Sequence, residues 1–243
     1  MNREVHVRPG WRVLAVLVVL SLLVIAPGAA ASPGAQVNTS LTIKLSQGAA
    51  DQIAALGLEV PVTGRVYLIL SRTSSPEPRN QISVTGTPFW GMDVQGLAGG
   101  GFVNLASRSG VIGYPLPRFA DIPAGDYYVQ AFLNVYTTFN RADGHVLHMH
   151  KDTGSGQNIW RAPGNAYSDV VPIRVGRTGI PSLNLELNKV LQPSDSVPPG
   201  GVLEQGNPVD TQYVKYFKIK SDLVSAFWGQ DMYIGANVLL PKG

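Results

Sequence analysis

The segment "IPAGDYYVQAFLNVY", residues 122–136, carries the clearest strand pattern in the chain. Pro123 and Gly125 form a turn signal, and the residues after them alternate with the period of two that is typical of a β-strand. One face of this strand is entirely apolar, whereas the other face is interrupted by Gln130 and Asn134. We therefore expect a long core strand. Its apolar face consists of Tyr127, Val129, Ala131, Leu133 and Val135.

Shorter segments on both sides show strand patterns of their own, and a single short helix is predicted at 47–57. The chain has 27 glycines, 18 prolines and only 14% charged residues, which favours many turns and few solvated helices. We predict a mainly β fold, an Ig-like or prealbumin-like β-sandwich over residues 38–191. The further predicted strands are 41–46, 64–72, 88–94, 102–107, 168–175 and 182–190, together with a hairpin at the Asp143-Gly144 pair that leads into 145–150.

The N-terminal residues have the order of a secretory signal. Three arginines precede an apolar run at 13–26, and small residues follow it up to Ala31. This run of 14 residues is shorter than the roughly 20 that span a bilayer. We expect residues 1–31 to be a signal peptide that is removed, which leaves a secreted or periplasmic protein without stable membrane insertion. An uncleaved membrane anchor is the alternative.

Charge and cysteine content exclude several classes of function. The net charge is +3, but residues 1–31 contribute three Arg and one Glu, so the mature chain would carry +1. The remaining Lys and Arg residues are scattered singly, and we therefore expect no nucleic-acid partner. The absence of cysteine excludes disulfides, thiolate catalysis and Cys-ligated zinc.

The composition of the sequence changes after the predicted sandwich. Residues 192–210 are rich in Pro and Gly and have no periodicity, which indicates an interdomain linker. Residues 211–243 then predict a strand at 213–220, a short connection, and a strand at 232–240. These two strands are close enough in sequence to pair as a hairpin. So short a segment cannot build a core of its own, so it either docks on the sandwich or opens a domain that is not here. We expect the second, and therefore few contacts with the sandwich.

Four segments together resemble a known family. They are "GRVYLILSR" (64–72), "ADIPAGDYYVQAFLNVYTTFNRADGH" (120–145), "APGNAYSD" (162–169) and "SDLVSAFWGQDMYIGANVLLPKG" (221–243). Their order resembles the amino-terminal region of secreted bacterial esterases of the esterase D-like group, in which an accessory β-sandwich precedes an α/β-hydrolase domain. The resemblance implies that residues 211–243 are the opening strands of that second domain, truncated here, and that the missing hydrolase domain is the partner. The G-x-S-x-G nucleophile motif of such hydrolases does not occur in the sequence, so no catalytic residue is carried over.

Three histidines form a candidate metal site. His145, His148 and His150 fall within six residues, and with Asp143 or Asp152 they could bind zinc or copper. The alternative is a hairpin strand whose histidines make ordinary hydrogen bonds. Because no second cluster supplies further ligands, we expect neither a metal nor a cofactor.

Two other polar groupings have catalytic or ion-binding alternatives. Asp143 and His145 could activate Ser155 or Ser168 as a nucleophile, although Asp143 is already explained by the turn. The segment "KDTGSGQN" (151–158) contains calcium-loop residue types without the spacing of such a loop. We expect no catalytic residues in this chain.

The second face of the long strand is a candidate ligand platform. If it were exposed, its aromatic rings could stack on sugar rings while the amides bound sugar hydroxyls. The alternative is that a second layer covers this face. The candidate binding residues are Tyr128, Gln130, Phe132, Asn134 and Tyr136.

The sequence thus leads us to expect a non-catalytic accessory module of a secreted esterase. A stand-alone exported module that binds cell-envelope glycan or protein is the competing hypothesis. A metal-dependent or serine enzyme contained entirely in this chain is a third.

The signal hypothesis predicts that the mature protein begins near Ser32, because Ala29 and Ala31 satisfy the small-x-small rule for cleavage. The intact mass of material secreted by a bacterial host measures this directly. Retention of residues 13–26 in a membrane fraction would indicate an anchor instead.

Overall fold

The computed structural model describes residues 39–106, 110–150, 158–193 and 210–242. The predicted signal at 1–31 and residues 194–209 of the predicted linker lie outside these ranges. So do Asp152, Ser155 and the rest of the calcium-like segment up to residue 157.

The described residues are mainly β, as predicted, with two α-helices. The first half contains β1 (Leu41–Leu45), α1 (Gln47–Ala55), β2 (Val62–Ser71), β3 (Phe89–Leu97), β4 (Phe102–Asn104), β5 (Ile112–Tyr114) and β6 (Gly125–Val135). The second half contains β7 (Thr137–Asn140), β8 (Val146–Met149), β9 (Ala166–Tyr167), β10 (Val171–Val175), β11 (Leu183–Leu187), β12 (Lys189–Val190), β13 (Val214–Lys220), α2 (Asp222–Trp228) and β14 (Tyr233–Leu239).

Two sheets form the main body. The seven-stranded sheet has the order β12-β9-β6-β2-β3-β5, all antiparallel, and β10 also pairs with β6. The three-stranded sheet has the order β11-β1-β4, with β1 parallel to β11 and antiparallel to β4. Side chains from both sheets enter one hydrophobic core, which is the arrangement of a β-sandwich. Two separate hairpins, β7–β8 and β13–β14, complete the structure.

The alternation predicted for residues 122–136 is confirmed. The five residues of the predicted apolar face of β6 are all buried in the main core, where they meet the apolar rows of β1 and β11. Full burial of one such aliphatic side chain contributes about 1.5–3 kcal/mol. The facing rows are Leu41, Ile43 and Leu45 of β1 and Leu183, Leu185 and Leu187 of β11.

The helix predicted at 47–57 is α1, and it closes one end of this core. Ser46 is its N-cap, and its hydroxyl accepts a hydrogen bond of 3.0 Å from the Ala49 amide. Ala49, Ala50 and Ile53 are buried, so one side of the helix faces the core.

The second face of the seven-stranded sheet is also covered. Tyr67 and Ile69 of β2 and Phe132 of β6 form a second buried cluster on that side. The Trp160 ring, from a short 3₁₀ turn at 159–161, lies 4.9 Å from the Phe132 ring and 5.1 Å from the Tyr67 ring. The central strands are therefore buried on both faces, although only one face packs on the other sheet.

Hydrogen bonds to Gln130 hold part of this cover in place. Its Oε1 accepts from the Arg79 amide at 3.0 Å, and its Nε2 donates to Glu77 Oε2 at 3.2 Å and to the Ser168 carbonyl at 3.1 Å. Arg79 in turn donates to the Trp160 carbonyl at 2.6 Å. The fully buried Gln130 thus fixes the segment around Arg79 to the sheet, and Arg79 connects that segment to the Trp160 turn.

Most predicted strands occur within a few residues of their expected bounds, but two differences are instructive. The single strand expected at 168–175 begins only at Val171, because Ser168 keeps only part of the backbone pairing with β6: its amide donates to the Ala131 carbonyl at 3.0 Å. The Ser168 hydroxyl accepts from the Ala131 amide at 2.9 Å and takes the place of a backbone acceptor. The strand β5 was not predicted.

We expect Gln130→Leu to lower the free energy of unfolding by about 2–4 kcal/mol, because it removes the hydrogen bonds to the Arg79 amide and to the carbonyl of the buried Ser168. Urea unfolding followed by tryptophan fluorescence measures the loss. The matched control is Gln95→Leu on β3, where the glutamine is exposed and the change should be close to neutral. Equal effects of the two substitutions would contradict a structural role for the buried amide.

Candidate interaction surface

The serine-site alternative is not assembled among the described residues, which include Ser168 but not Ser155. His145 Nδ1 lies 3.2 Å from Asp143 Oδ1 at the β7–β8 turn, so those two groups do meet. Ser168 is buried between β9 and β10, and its hydroxyl both accepts from Ala131 and donates to the Asp169 carbonyl at 2.8 Å. A nucleophile needs a free hydroxyl beside its base. Ser168 instead has a structural role.

The three histidines have separate partners. His145 is on the exposed turn, whereas His148 Nδ1 lies 3.1 Å from the Thr138 hydroxyl and His150 Nδ1 lies 3.1 Å from Asn134 Oδ1. Within the described ranges, no three His, Cys, Asp or Glu side chains are grouped so that they could hold a metal ion. Proximity in sequence therefore does not bring these imidazoles to one point.

The candidate ligand platform on β6 is not an open surface. Gln130, Phe132 and Asn134 are buried, and Tyr128 and Tyr136 are only half-exposed. The covering segments occupy the space that a sugar ring would need. The structure thus corrects the platform hypothesis in favour of the covered-face alternative.

Tyr136 lies close to the ion pair formed by Arg65 and Asp93. The Arg65 guanidinium donates two hydrogen bonds to the Asp93 carboxylate, at 2.7 and 2.8 Å. Burial raises the pKa of Tyr136 above its ordinary value and raises the pKa of Tyr67 to about 12. Both phenols are neutral at physiological pH, so neither is prepared to act as a base.

An open cleft of about 530 Å³ lies between the end of β3 and β4. Residues 93–98 and 101–103 line it, and Phe102 at its margin is 65% exposed. The carboxylate of Asp93 is already paired with Arg65. The cleft therefore offers mainly amide and backbone groups.

The most distinctive surface lies on the C-terminal hairpin. The strands β13 and β14 pair antiparallel from Val214↔Leu239 to Lys220↔Tyr233, which confirms the predicted strand pair. Directly opposed residues share a face of such a ladder, so the register sorts the side chains into two faces. We call one of them the apolar face. It consists of Phe217, Ile219, Ile234, Ala236, Val238 and Leu240, and Lys215 lies within it, directly opposite Val238.

The apolar face is open to solvent. Phe217 is 54% exposed, Ile219 62% and Ile234 49%. Every residue of β14 is exposed. A lone two-stranded hairpin is marginally stable in water, and a contiguous exposed apolar patch usually marks an interaction site.

Aromatic and cationic contacts fix this unit to the β7–β8 hairpin. The Trp228 ring lies 5.5 Å from the buried Phe139 ring of β7, and the Ala142 amide donates to the Phe227 carbonyl at 2.8 Å. The Arg141 guanidinium lies 4.8 Å from the centre of the Phe227 ring and also pairs with Asp143. The Asp143 turn thus serves to anchor α2.

Gly229 makes this anchor sterically possible. It ends α2 with φ +69°, a left-handed conformation that favours glycine. A Cβ atom added there would lie 2.4 Å from the Asn140 carbonyl oxygen. Both the backbone angle and the close approach therefore require a residue without a side chain.

No family model, curated protein or solved structure matches the chain. Among the described residues, neither helix is long and apolar enough to cross a membrane.

Gly229→Ala should loosen the C-terminal unit, because the Cβ pushes α2 away from Asn140. Amide hydrogen exchange should accelerate across 213–240 while the main sandwich keeps its protection. The matched control is Gly57→Ala at the end of α1, where φ is +77° but no atom lies within 4 Å of the added Cβ. If Gly57→Ala loosened residues 213–240 equally, the close approach to Asn140 would not be the cause.

Proposed function

We propose that this chain is a non-catalytic β-sandwich module of a secreted esterase, and that its C-terminal hairpin is the surface on which the hydrolase domain docks. The observation that carries the proposal is the solvent-exposed apolar face of β13–β14, held at the β7–β8 turn by Trp228, Arg141 and Gly229.

The energetics support docking on this face. Burying a side chain such as Phe217, Ile219 or Ile234 contributes about 1.5–3 kcal/mol when burial is complete. The three are already about half buried, so a partner gains the remainder at each of them. The same face in water is an aggregation hazard. A protein domain that covers it removes the hazard and gains the binding energy.

The polar groups of the sandwich support an accessory role. The residues weighed as catalytic or binding alternatives are engaged in the fold: Ser168 completes the β6 ladder, Asp143 pairs with Arg141, and Gln130 fixes the cover of the sheet. A rigid sandwich with an anchored hairpin suits a module that orients or shields another domain. The sequence resemblance to the amino-terminal region of esterase D-like proteins points to an α/β-hydrolase as that domain.

The proposal predicts that a separately expressed hydrolase domain of this esterase group binds the purified protein, and that the double substitution Phe217→Ser and Ile234→Ser weakens binding by more than about tenfold. Isothermal titration calorimetry measures the affinity. Val84→Ser is the matched control, because Val84 is 82% exposed in the loop before β3 and its loss should leave binding unchanged.

The second measurement is the rate at which the protein alone hydrolyses an activated ester. We expect this rate to equal the rate without protein. A rate that persists through purification and falls in a His145 or Ser168 variant would overturn the non-catalytic role. If the hydrolase domain does not bind but isolated cell-envelope material does, the stand-alone binding module is the correct alternative.

A further inference from the structure

The backbone of the hairpin has two outer edges, and the register shows which groups point outward. The Leu240 amide donates to the Tyr213 carbonyl at 2.7 Å, and the Ser221 amide donates to the Met232 carbonyl at 3.0 Å. Bonded and non-bonded pairs alternate along an antiparallel ladder. The outer edge of β14 is therefore formed by the N–H and C=O groups of Tyr233, Gly235, Asn237 and Leu239.

The corresponding edge of β13 is partly occupied by the turn that precedes it. The Tyr216 amide donates to Asp210 Oδ1 at 2.7 Å. The Val214 amide donates to the Thr211 hydroxyl at 3.0 Å, and the Val214 carbonyl accepts from the Thr211 amide at 2.8 Å. No such partner for the β14 edge occurs among the described residues, so β14 is the open edge.

Charge separates the two edges in the same way. Lys215, Lys218 and Lys220 all lie on β13, and β14 carries no charged residue. A strand that approached β13 would meet the Lys218 ammonium and two ion pairs, Lys215–Asp210 and Lys220–Asp231. A strand that approached β14 would meet only uncharged side chains.

We propose that β14 pairs edge to edge with β14 of a second copy of this chain, antiparallel about a two-fold axis through Ala236. The result is a four-stranded sheet in the order β13-β14-β14-β13. This register keeps all seven residues of β14 paired, whereas a shift toward Asn237 brings Pro241 into the ladder.

The side chains suit this register. On the apolar face Ile234 meets Val238 of the second copy, and the small Ala236 meets its own symmetry mate where the strands approach most closely. On the other face Tyr233 meets Leu239. The two β13 strands are three strand spacings apart, about 14 Å. The backbones that carry the lysines are thus farther apart than the screening length of about 8 Å at physiological ionic strength.

This pairing is independent of the proposed docking function, because it uses the edge of the hairpin and leaves the apolar face open. The four-stranded sheet would present two copies of that face side by side. Failure of either proposal therefore leaves the other standing.

Engineered cysteines test the register in the purified full-length protein, which has no cysteine of its own. In Ala236→Cys the two thiols face each other at a non-hydrogen-bonded pair, where the Cα separation of about 4.5 Å suits a disulfide. The matched control is Ile219→Cys, on the same face but on β13. We expect the covalent dimer of Ala236→Cys to form more than about tenfold faster under mild oxidation, because pairing raises the effective thiol concentration. Equal rates would overturn the proposal.

Proline substitutions test the edge in solution. Asn237→Pro removes an outward amide from β14, and Lys218→Pro removes an outward amide from β13. Neither residue uses its N–H in the β13–β14 ladder, so both hairpins should form. At micromolar concentrations in sedimentation velocity, we expect the unmodified protein and Lys218→Pro to be dimers and Asn237→Pro to be a monomer. A monomeric unmodified protein, or a dimer that survives Asn237→Pro, would overturn the pairing.

Discussion

Burial of β6 on both of its faces is the constraint on which the rest of the structure depends. One face packs against β1 and β11 across the sandwich core, which is ordinary for a sheet in such a fold. The other face carries Phe132, Gln130 and Asn134, and a single three-stranded partner sheet cannot cover both sides. The chain therefore uses irregular segments, around Arg79 and around Trp160, as a third layer.

That third layer explains why the polar residues of β6 are structural. A buried amide is tolerated only when its donor and acceptor atoms are satisfied, and Gln130 meets this condition with three partners. The same requirement places Ser168 against the Ala131 amide. Side chains that look like a binding row in sequence thus act as the connections between strand and cover.

The C-terminal hairpin differs from β6 because its apolar side chains are not covered. Its apolar residues are placed as regularly as those of β6, yet the described chain provides an anchor at α2 and no cover for the strands. The anchor depends on one glycine and on aromatic rings around Arg141. The face and the outer edge of β14 are distinct surfaces, so a docking partner and a second copy of the chain could be bound at the same time.

Sequence periodicity determined the elements whose signal is local: the alternation in β6, the apolar rows of β1 and β11, the short helix α1, and the pairing of β13 with β14. These depend on residues that are neighbours in the chain or joined by a short turn. The tertiary structure alone decided what lies over the second face of β6, because its cover comes from Arg79 and Trp160, far away in sequence. It also decided that His145, His148 and His150 have separate partners, since side-chain direction depends on packing as well as on spacing. Gly229 is recognisable in sequence as a helix end, but only the approach of Asn140 makes it indispensable.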